Sequence, residues 1–412
     1  DKSTPFYGPQ VHFTHPWPGG WWRLGDIVKR QYCAAYTVLD TMAKNREQIL
    51  YNMTQKALRQ TKRGGESHEQ AFLIPENQFD QGVLRVLLKI LLDQGIEIKR
   101  AASDLSVGAV TYPKGTYVIP LAQPKMGVVM NLLARTLYPD NFWTRDMQDA
   151  LTAFDTASDT VAEYMGVQVI PADAPVEGEL TLFTALDAIP LTSLSQAAGY
   201  VISAKENRGY HAANLLLAQG FPVWRIDTCP WHDFYVEGDI KKLAPIFDAA
   251  QATVRPVEKP YPQMTPLKPL RVAMYQHFYT GNADEGWTRL LFDNMAYSYT
   301  TVFDADIKNG KLKDFDVLIL PSDSYEMLYG LQHYADSPKY DGLMQFIGKQ
   351  PPEKQSGLGD EGMNAIRSFV EQGGKLLAFN QSCDFAIEAC HLKVKNLAKD
   401  LSAKEFNTHG ST

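Results

Sequence analysis

Histidine, cysteine and carboxylate side chains are the groups of this chain that could hold a metal ion or act in hydrolysis. The chain contains nine histidines and four cysteines. A zinc hydrolase usually places two of its ligands on one short motif. His68-Glu69 begins like the zinc motif HExxH, but Phe72 stands where the second histidine is required, and HxxE occurs nowhere. We therefore predict no metal ligand and no catalytic residue in this chain.

One histidine pair occurs in the aromatic opening segment. His12 and His15 lie three residues apart, but no carboxylate accompanies them at metal-ligand spacing. We predict packing or hydrogen bonding for these two histidines rather than metal binding. The four cysteines form neither a CxxC clip nor a disulfide framework.

A serine and a cysteine occupy the position at which many α/β hydrolases present their nucleophile. Ser382 and Cys383 follow an apolar strand pattern and open a helix pattern. No glycine flanks them as in GxSxG, and glycine is the residue that permits the strained turn. We therefore predict that Cys383 is a buried structural cysteine. The alternative is an independent cysteine hydrolase, which would need a general base from elsewhere in the fold.

Two carboxylates follow the first strand pattern of the C-terminal region. That strand pattern covers residues 271–275, and Asp284 and Glu285 come after it, at the start of a helix pattern. Open α/β sheets bind ligands in loops at the carboxyl ends of their strands, so Asp284 and Glu285 are our candidate ligand-binding residues. Acidic residues also stabilise a helix N-terminus, and we favour this second role.

The elements that position these groups begin with a long helix pattern. An aromatic segment with Trp17, Trp21 and Trp22 leads to Asp26, which can cap the helix. Apolar residues then recur near helical spacing until Gly64-Gly65: Ile27, Ala34, Val38, Met42, Ile49, Met53 and Ala57. A helix of about forty residues would normally pack along a neighbouring domain. No such domain precedes it here, so we expect its apolar face to be exposed.

Strand patterns alternate with helix patterns in the middle of the chain. Short apolar strand patterns occur at residues 71–75, 96–98, 117–120, 199–202 and 223–226. This alternation is typical of βαβ units and predicts Rossmann-like or flavodoxin-like, mainly parallel sheets flanked by helices. We find no short sequence repeat.

A domain boundary is indicated by five prolines between Arg255 and Leu270. Beyond it a new α/β pattern begins, with strand patterns at residues 271–275, 317–321 and 375–379. We therefore predict a multi-domain α/β chain. Its predicted regions are residues 1–66, 67–265 and 266–412.

The composition excludes two classes of function. Hydrophobic residues make up 45% of the chain and charged residues 21%, as in folded globular proteins. The formal net charge of −7 leaves no broad basic surface for a nucleic acid. No apolar run approaches the roughly 18 residues of a membrane span. We expect neither nucleic-acid binding nor a membrane span.

Four segments together resemble the large bacterial zinc carboxypeptidase-like proteins (carboxypeptidase A-type peptidases) that carry a long C-terminal extension. The segments are residues 15–28 (HPWPGGWWRLGDIV), 112–124 (YPKGTYVIPLAQP), 284–289 (DEGWTR) and 373–387, in this order. The first looks like the end of a peptidase domain, and the likeness covers essentially the whole chain. The region 266–412 is similar to a class I glutamine-amidotransferase-like domain, in which the nucleophilic cysteine would fall at about Asn380.

The resemblance implies a parent enzyme that removes C-terminal residues from peptides and is periplasmic or secreted. In that family two histidines and a glutamate hold one zinc ion, a further glutamate is the base, and all lie upstream of the Gly19-Gly20-Trp21-Trp22 segment. No catalytic residue is carried over, and we expect no cofactor in this chain. The chain is then the non-catalytic C-terminal portion, with a partial, inactive amidotransferase-like domain and an upstream peptidase domain as its partner. The alternative is a saccharide or cell-wall peptide binding module without hydrolase activity.

Overall fold

The computed structural model describes most of the chain. The described residues are 8, 9, 11, 14, 16, 17, 19–135, 145, 146, 149, 150, 161–189, 192–277, 282–334, 357–399 and 401. They form a helical arm followed by three units of mixed helix and strand, so the predicted α/β class is confirmed. His12 and His15 lie outside the described residues.

Residues 24–65 form the arm, which consists of two helices, α1 (Leu24–Lys44) and α2 (Arg46–Gly65). The helices meet at Asn45, whose side-chain amide donates a hydrogen bond to the carbonyl oxygen of Thr41 at 2.8 Å. Asparagine side chains compete for backbone groups in this way, which explains why the single predicted helix is divided here. Asp26 accepts a hydrogen bond from the backbone N–H of Arg23 at 3.0 Å, so it stabilises the start of α1 from the first turn.

The arm is attached to the rest of the protein near the end of α2. Gly64 is buried there, and a Cβ atom at this position would lie 1.8 Å from the carbonyl oxygen of Leu121. Glycine is therefore required for this close approach of two backbones. The predicted helix stop at Gly64-Gly65 is confirmed, because α2 ends at Gly65.

The first α/β unit follows the arm. Its strands are β1 (Ala71–Ile74), β2 (Ile98–Ala101), β3 (Leu105–Val107), β4 (Val110–Tyr112), β5 (Tyr117–Pro120), β6 (Arg145–Asp146), β7 (Asp149–Ala150), β8 (Ile170–Ala172), β9 (Val176–Glu177) and β10 (Leu180–Phe183), and its helices are α3 (Gln81–Asp93), α4 (Met126–Leu133) and α5 (Val161–Tyr164). Among the described strands, the main sheet has the order β10-β2-β5-β1-β8. Helix α3 buries Leu87, Leu88 and Leu91 in the core against strand residues such as Ile98 and Ile119.

The second α/β unit has a similar size. Its strands are β11 (Gly199–Ile202), β12 (Val223–Ile226), β13 (Phe234–Val236), β14 (Val254–Val257) and β15 (Met264–Pro266), and its helices are α6 (Asn207–Ala218) and α7 (Ile240–Ala250). The sheet order within the described residues is β14-β11-β13-β12-β15. Tyr200 and Phe247 are fully buried between the sheet and α7, with ring centroids 6.0 Å apart.

These two units share one topology. In the first, the chain order is β1, α3, β2, β5, α4, β8, β10, and in the second it is β11, α6, β12, β13, α7, β14, β15. In both, the third strand of the sheet lies between the first two, the fourth borders the first, and the fifth borders the second. The middle of the chain therefore contains a structural repeat that its sequence does not reveal.

The prediction of mainly parallel sheets in the region 67–265 is wrong. Each described strand pair of the two main sheets is antiparallel. The alternation of strands and helices correctly indicates two crossovers, β1-α3-β2 and β11-α6-β12. In each crossover the two strands run in the same direction, but β5 or β13 is inserted antiparallel between them. Alternating strand and helix patterns indicate that a helix connects two strands. They do not show that these two strands are neighbours in the sheet.

The third α/β unit contains the predicted parallel sheet. Its strands are β16 (Val272–Tyr275), β17 (Tyr299–Val302), β18 (Val317–Leu320) and β19 (Lys375–Ala378), and its helices are α8 (Ala283–Asn294), α9 (Asp304–Lys308), α10 (Tyr325–Tyr329), α11 (Gly359–Glu371) and α12 (Ser382–Ala389), with short 3-10 turns at residues 311–314 and 331–334. The described strands have the order β17-β16-β18-β19 and pair in parallel. The strand order reverses at β16, so a crevice is expected at the carboxyl ends of β16 and β18, where doubly wound folds bind ligands.

Candidate functional site

A buried histidine–aspartate pair lies at this switch point. His277 follows the end of β16, and Asp323 follows the end of β18. The Nε2 atom of His277 lies 2.5 Å from Oδ2 of Asp323, and the His277 side chain is only 3% exposed. A carboxylate this close orients the imidazole ring and fixes which nitrogen faces it. The two loops at the switch point are therefore joined by a polar contact.

Asn282 joins the same two loops a second time. Its Oδ1 accepts a hydrogen bond from the backbone N–H of Glu285 at 3.1 Å and so caps helix α8. Its Nδ2 donates to the carbonyl oxygen of Ser322 at 3.0 Å, in the loop after β18. The cap of α8 and the β18 loop are thus held together by one side chain, which places a helix N-terminus at the carboxyl edge of the sheet.

The two predicted ligand-binding residues have different surroundings. Asp284 is exposed in the first turn of α8. Glu285 is buried and forms an ion pair with Arg289, whose Nη2 donates to the hydroxyl of Thr301 at 2.8 Å. Both carboxylates lie in the first turn of α8, as expected for acidic residues that stabilise a helix N-terminus. Their role in ligand binding stays a prediction, and Asp284 is the more accessible of the two.

The turn between β19 and α12 resembles a nucleophile elbow in its backbone. Asn380 has a φ of 45°, in the left-handed region. The left-handed residue is thus Asn380 and neither Ser382 nor Cys383, and asparagine tolerates this region better than most residues do. Cys383 is half-buried rather than fully buried as predicted, and its thiol donates to the carbonyl oxygen of Ala378 at a sulfur–oxygen distance of 3.3 Å.

The hydroxyl of Ser382 has structural partners. Ser382 is fully buried, donates to the carbonyl oxygen of Pro321 at 2.5 Å, and accepts from the backbone N–H of Asp323 at 3.0 Å. A hydroxyl that already binds two backbone groups connects the β19–α12 turn to the loop after β18. It holds Asp323 in place for its contact with His277.

Sequence reasoning did not select His277, Asp323 or Asn282 as candidates. Each lies in a loop directly after a strand or at the cap of the following helix. A search for polar residues in the three positions after each predicted parallel strand would have found His277 and Asp323. That they touch depends on β16 and β18 being neighbours, and the sequence pattern does not give the strand order.

The arm presents a second candidate surface. No residue of α1 is buried. Of the seven predicted face residues, five are exposed (Ile27, Ala34, Val38, Met42 and Met53), whereas Ile49 and Ala57 are half-buried. Further exposed apolar side chains of the arm are Trp21, Trp22, Leu24, Val28, Tyr32, Tyr36, Leu39, Leu50, Tyr51 and Leu58. The expected exposure of the helix is confirmed for five of these seven residues. We call this set of side chains the arm face.

The aromatic segment before α1 has an ordered contact of its own. The guanidinium of Arg30 lies 4.9 Å from the ring centroid of Trp22 and 5.5 Å from that of Trp17. The two indole rings lie 5.2 Å apart. This cation–π cluster ties the segment to the first turns of α1.

The described residues do not fit a single bound zinc ion of the kind that peptidases use. Among them, no three histidine, cysteine, aspartate or glutamate side chains are placed to hold one metal ion. We therefore derive no chemistry through zinc in this chain. Across the described ranges, no helix combines the length and apolarity needed to cross a bilayer.

Comparisons with protein-family models, with curated proteins and with solved structures find no match for this chain. A function is therefore assigned from the residue patterns and from the geometry of the switch point and the arm face.

Proposed function

We propose that this chain is the non-catalytic C-terminal portion of a zinc metallocarboxypeptidase-like protein. In the parent protein, a separate upstream domain would remove C-terminal residues from peptides. The proposal is supported by the four segments that resemble that family in order, and by the absence of HxxE and HExxH motifs from the sequence. The observation that carries it is the arm face.

The arm face has the properties of a covered surface. Monomeric proteins rarely expose contiguous apolar patches larger than a few hundred Å². In α1 the exposed apolar side chains include two tyrosines and the large side chains Leu24 and Leu39, which are 75% and 67% exposed. In the proposed arrangement a peptidase domain packs along this face, immediately after the segment that resembles the end of such a domain.

The third unit would then act in binding or architecture rather than in catalysis. Asn380 stands where the resemblance puts the amidotransferase nucleophile, and an amide cannot serve as one. The hydroxyl of Ser382 is engaged by two backbone groups. The polar edge formed by His277, Asp323 and the N-terminus of α8 could orient a polar ligand without changing it.

A specific observation also favours the second candidate function, a saccharide or cell-wall peptide binding module. Hydrogen-bonding side chains and exposed aromatic rings are what such ligands require. The switch point provides the hydrogen-bonding side chains. Trp21 and Trp22, which are 82% and 50% exposed, provide the aromatic rings. The arm face would then contact ligand rather than a peptidase domain.

The sequence of the intact protein separates the two candidates. An HxxE motif followed by a distant histidine upstream of Asp1 supports the first proposal, and its absence overturns it. If the motif is present, the intact protein should bind one zinc ion and release C-terminal amino acids from peptides, and a chelator should abolish this release. If the motif is absent, retention of this chain on insoluble cell-wall material, competed by soluble fragments, would support the second candidate.

A further inference from the structure

A crevice of about 340 Å³ lies between the second and third α/β units. One wall is a face of α6 with Tyr210, Asn214 and Leu217. The floor is the linker 266–270, and the opposite wall is the turn 296–298 after α8. Ligand sites often lie at domain boundaries and usually have volumes of about 300–1,000 Å³. The crevice is at the lower end of this range and is large enough for a molecule with a single ring and its substituents.

The walls are held to each other by hydrogen bonds. The Nδ2 atom of Asn214 donates to the carbonyl oxygen of Met295 at 2.9 Å, across the boundary between the two units. The backbone N–H of Leu267 donates to the carbonyl oxygen of Val223 at 2.8 Å, which fixes the floor to the second sheet. The crevice therefore exists before a ligand arrives, and little ordering would oppose binding.

The turn that forms the far wall has an unusual backbone. Ala296 has a φ of 55°, a left-handed conformation that is rare for a residue with a Cβ atom. The turn is closed by the N–H of Tyr297, which donates to the carbonyl oxygen of Phe292 at 2.9 Å. Such strained residues persist where the surrounding structure determines them and often occur at ligand sites. Here the conformation brings Tyr297 and Ser298 to the crevice.

The lining selects the class of ligand. Phe234 and Tyr210 pack edge-to-face with ring centroids 5.1 Å apart, and Tyr297 faces the same space from the other wall. Lys268 is the one charged residue among the lining residues that the structure describes, and its ammonium group is 3.1 Å from a carboxylate oxygen of Asp316. The Lys268 side chain is 71% exposed, so water and salt screen its charge, and the rest of the described lining carries no charge that would select a charged ligand. Aromatic rings prefer such offset and edge contacts with one another.

Polar groups at the crevice can orient a ring. The side-chain amide of Asn214 has an oxygen that accepts, and the hydroxyl groups of Tyr210 and Ser298 can donate or accept. Tyr210 and Leu270 are 40% and 46% exposed, so a ligand would cover apolar surface at the mouth. We propose that this crevice binds an uncharged aromatic ring that carries a hydrogen-bonding group, of the kind found in a phenol. The ring could belong to a free molecule or to an aromatic side chain of a peptide.

The test uses the whole chain and two probes, p-cresol and N-acetyl-L-tyrosinamide. Binding is measured by calorimetric titration and by saturation-transfer NMR. We expect saturable binding of at least one probe at millimolar concentration or below. If only p-cresol binds, the ligand is a free small molecule, and if the amide binds at least as well, it is a peptide side chain. The absence of saturable binding of both probes overturns the proposal.

Two variants locate the site from opposite walls. Leu217→Trp fills the crevice from α6 and Ser298→Trp fills it from the far turn, and each should weaken binding at least tenfold. The matched control is Gln219→Trp, which follows α6 but does not line the crevice, and it should change affinity less than twofold. Unchanged binding in both crevice variants overturns the proposal.

Photolabelling of the native chain decides the question if a variant fails to fold. A diazirine-bearing phenol should label peptides that contain residues 210–218, 266–270 or 296–298, and excess p-cresol should suppress that labelling. Specific labelling confined to other peptides overturns the proposal.

Discussion

The side chain of Ser382 supports the loop that carries Asp323. Its Oγ accepts the backbone N–H of Asp323 at 3.0 Å and donates to the carbonyl oxygen of Pro321 at 2.5 Å. The same Asp323 contacts the His277 ring through its carboxylate. The side chains of Ser382 and Asp323 therefore connect residues at the ends of three parallel strands, β16, β18 and β19. The position that a hydrolase would give to a nucleophile is here a structural bridge.

Replacing Ser382 by alanine should destabilise the third unit. The substitution leaves a buried N–H and a buried carbonyl group without their partner, which costs about 1–3 kcal/mol. Urea unfolding followed by far-UV circular dichroism measures this loss. Ser368→Ala, at an exposed position of α11, is the matched control and should change stability by less than about 0.5 kcal/mol. An equal effect of both substitutions would contradict the structural role of Ser382.

The cysteines should differ in their rates of alkylation. Cys33 is exposed on α1, whereas Cys383 and Cys390 are half-buried. Burial raises the pKa of the Cys390 thiol, and the Cys383 thiol is hydrogen-bonded to Ala378. Iodoacetamide at neutral pH should therefore modify Cys33 about tenfold faster, or more, than Cys383 and Cys390. Mass spectrometry of timed samples measures the rates, with the urea-unfolded chain as control. Alkylation of Cys383 within seconds would restore the cysteine hydrolase alternative.

Leucines of the arm and of the core should respond differently to truncation. Leu39 of α1 is 67% exposed, and Leu87 of α3 is completely buried. Leu87→Ala should cost about 2–5 kcal/mol, because it removes buried methyl groups and leaves a cavity. Leu39→Ala should change the free energy of unfolding by less than about 0.5 kcal/mol. Thermal and urea unfolding measure both. A large loss of stability in Leu39→Ala would show that the arm face is already packed within this chain.

The ion pair at the start of β16 should make stability depend on pH. Hydrogen bonds from the side chain and backbone of Arg271 hold the pKa of Asp316 well below its usual range. A carboxylate with a lowered folded-state pKa contributes stability above its unfolded pKa, which is about 3.9, and loses it as the pH falls through the folded value. Asp316→Asn should therefore be less stable than the native chain at pH 7, and the difference should shrink below about pH 4. Asp314→Asn, at an exposed position at the end of the neighbouring 3-10 turn, is the control. A constant difference between pH 7 and pH 2 would contradict this assignment.

The chain as it stands should hold no stoichiometric zinc and should not release C-terminal residues from peptides. The reason is the absence of HxxE, HExxH and cysteine-clip motifs from the whole sequence. Elemental analysis after dialysis measures the metal, and a C-terminal release assay with added zinc measures activity. One zinc ion per chain, bound more tightly than about 1 µM, would contradict the prediction.

Several features could be predicted because they depend on neighbouring residues. Helix and strand patterns follow from local apolar spacing, so the strands at 71–74, 199–202 and 223–226 were located from the sequence. The helix stop at Gly65 likewise follows from local backbone chemistry. The proline-rich segment that indicated a domain boundary instead contains β14 and β15, which belong to the second sheet. The exposure of Val38, Met42 and Met53 agrees with the expectation drawn from the length of the helix pattern.

Sheet order and direction could not be obtained in this way. The strand β13 pairs with both β11 and β12, and β5 with both β1 and β2, although their sequences resemble any short apolar strand. Which strand enters a sheet between two others depends on contacts between residues far apart in the chain. The shared topology of the first two units is hidden for the same reason, because many sequences satisfy one pattern of burial.

The sequence by itself determined the α/β class, the position of the arm and the lack of zinc motifs, since each depends on composition or on spacing within one segment. Only the tertiary structure decided that His277, Asp323 and Ser382 meet, and that a crevice forms between α6 and the turn after α8. His277, Asp323 and Ser382 are separated by 46 to 105 positions in the chain and come together because parallel strands align their carboxyl ends at one edge. A site built from residues at the ends of several strands therefore depends on the order of those strands in the sheet. Local residue patterns do not specify that order.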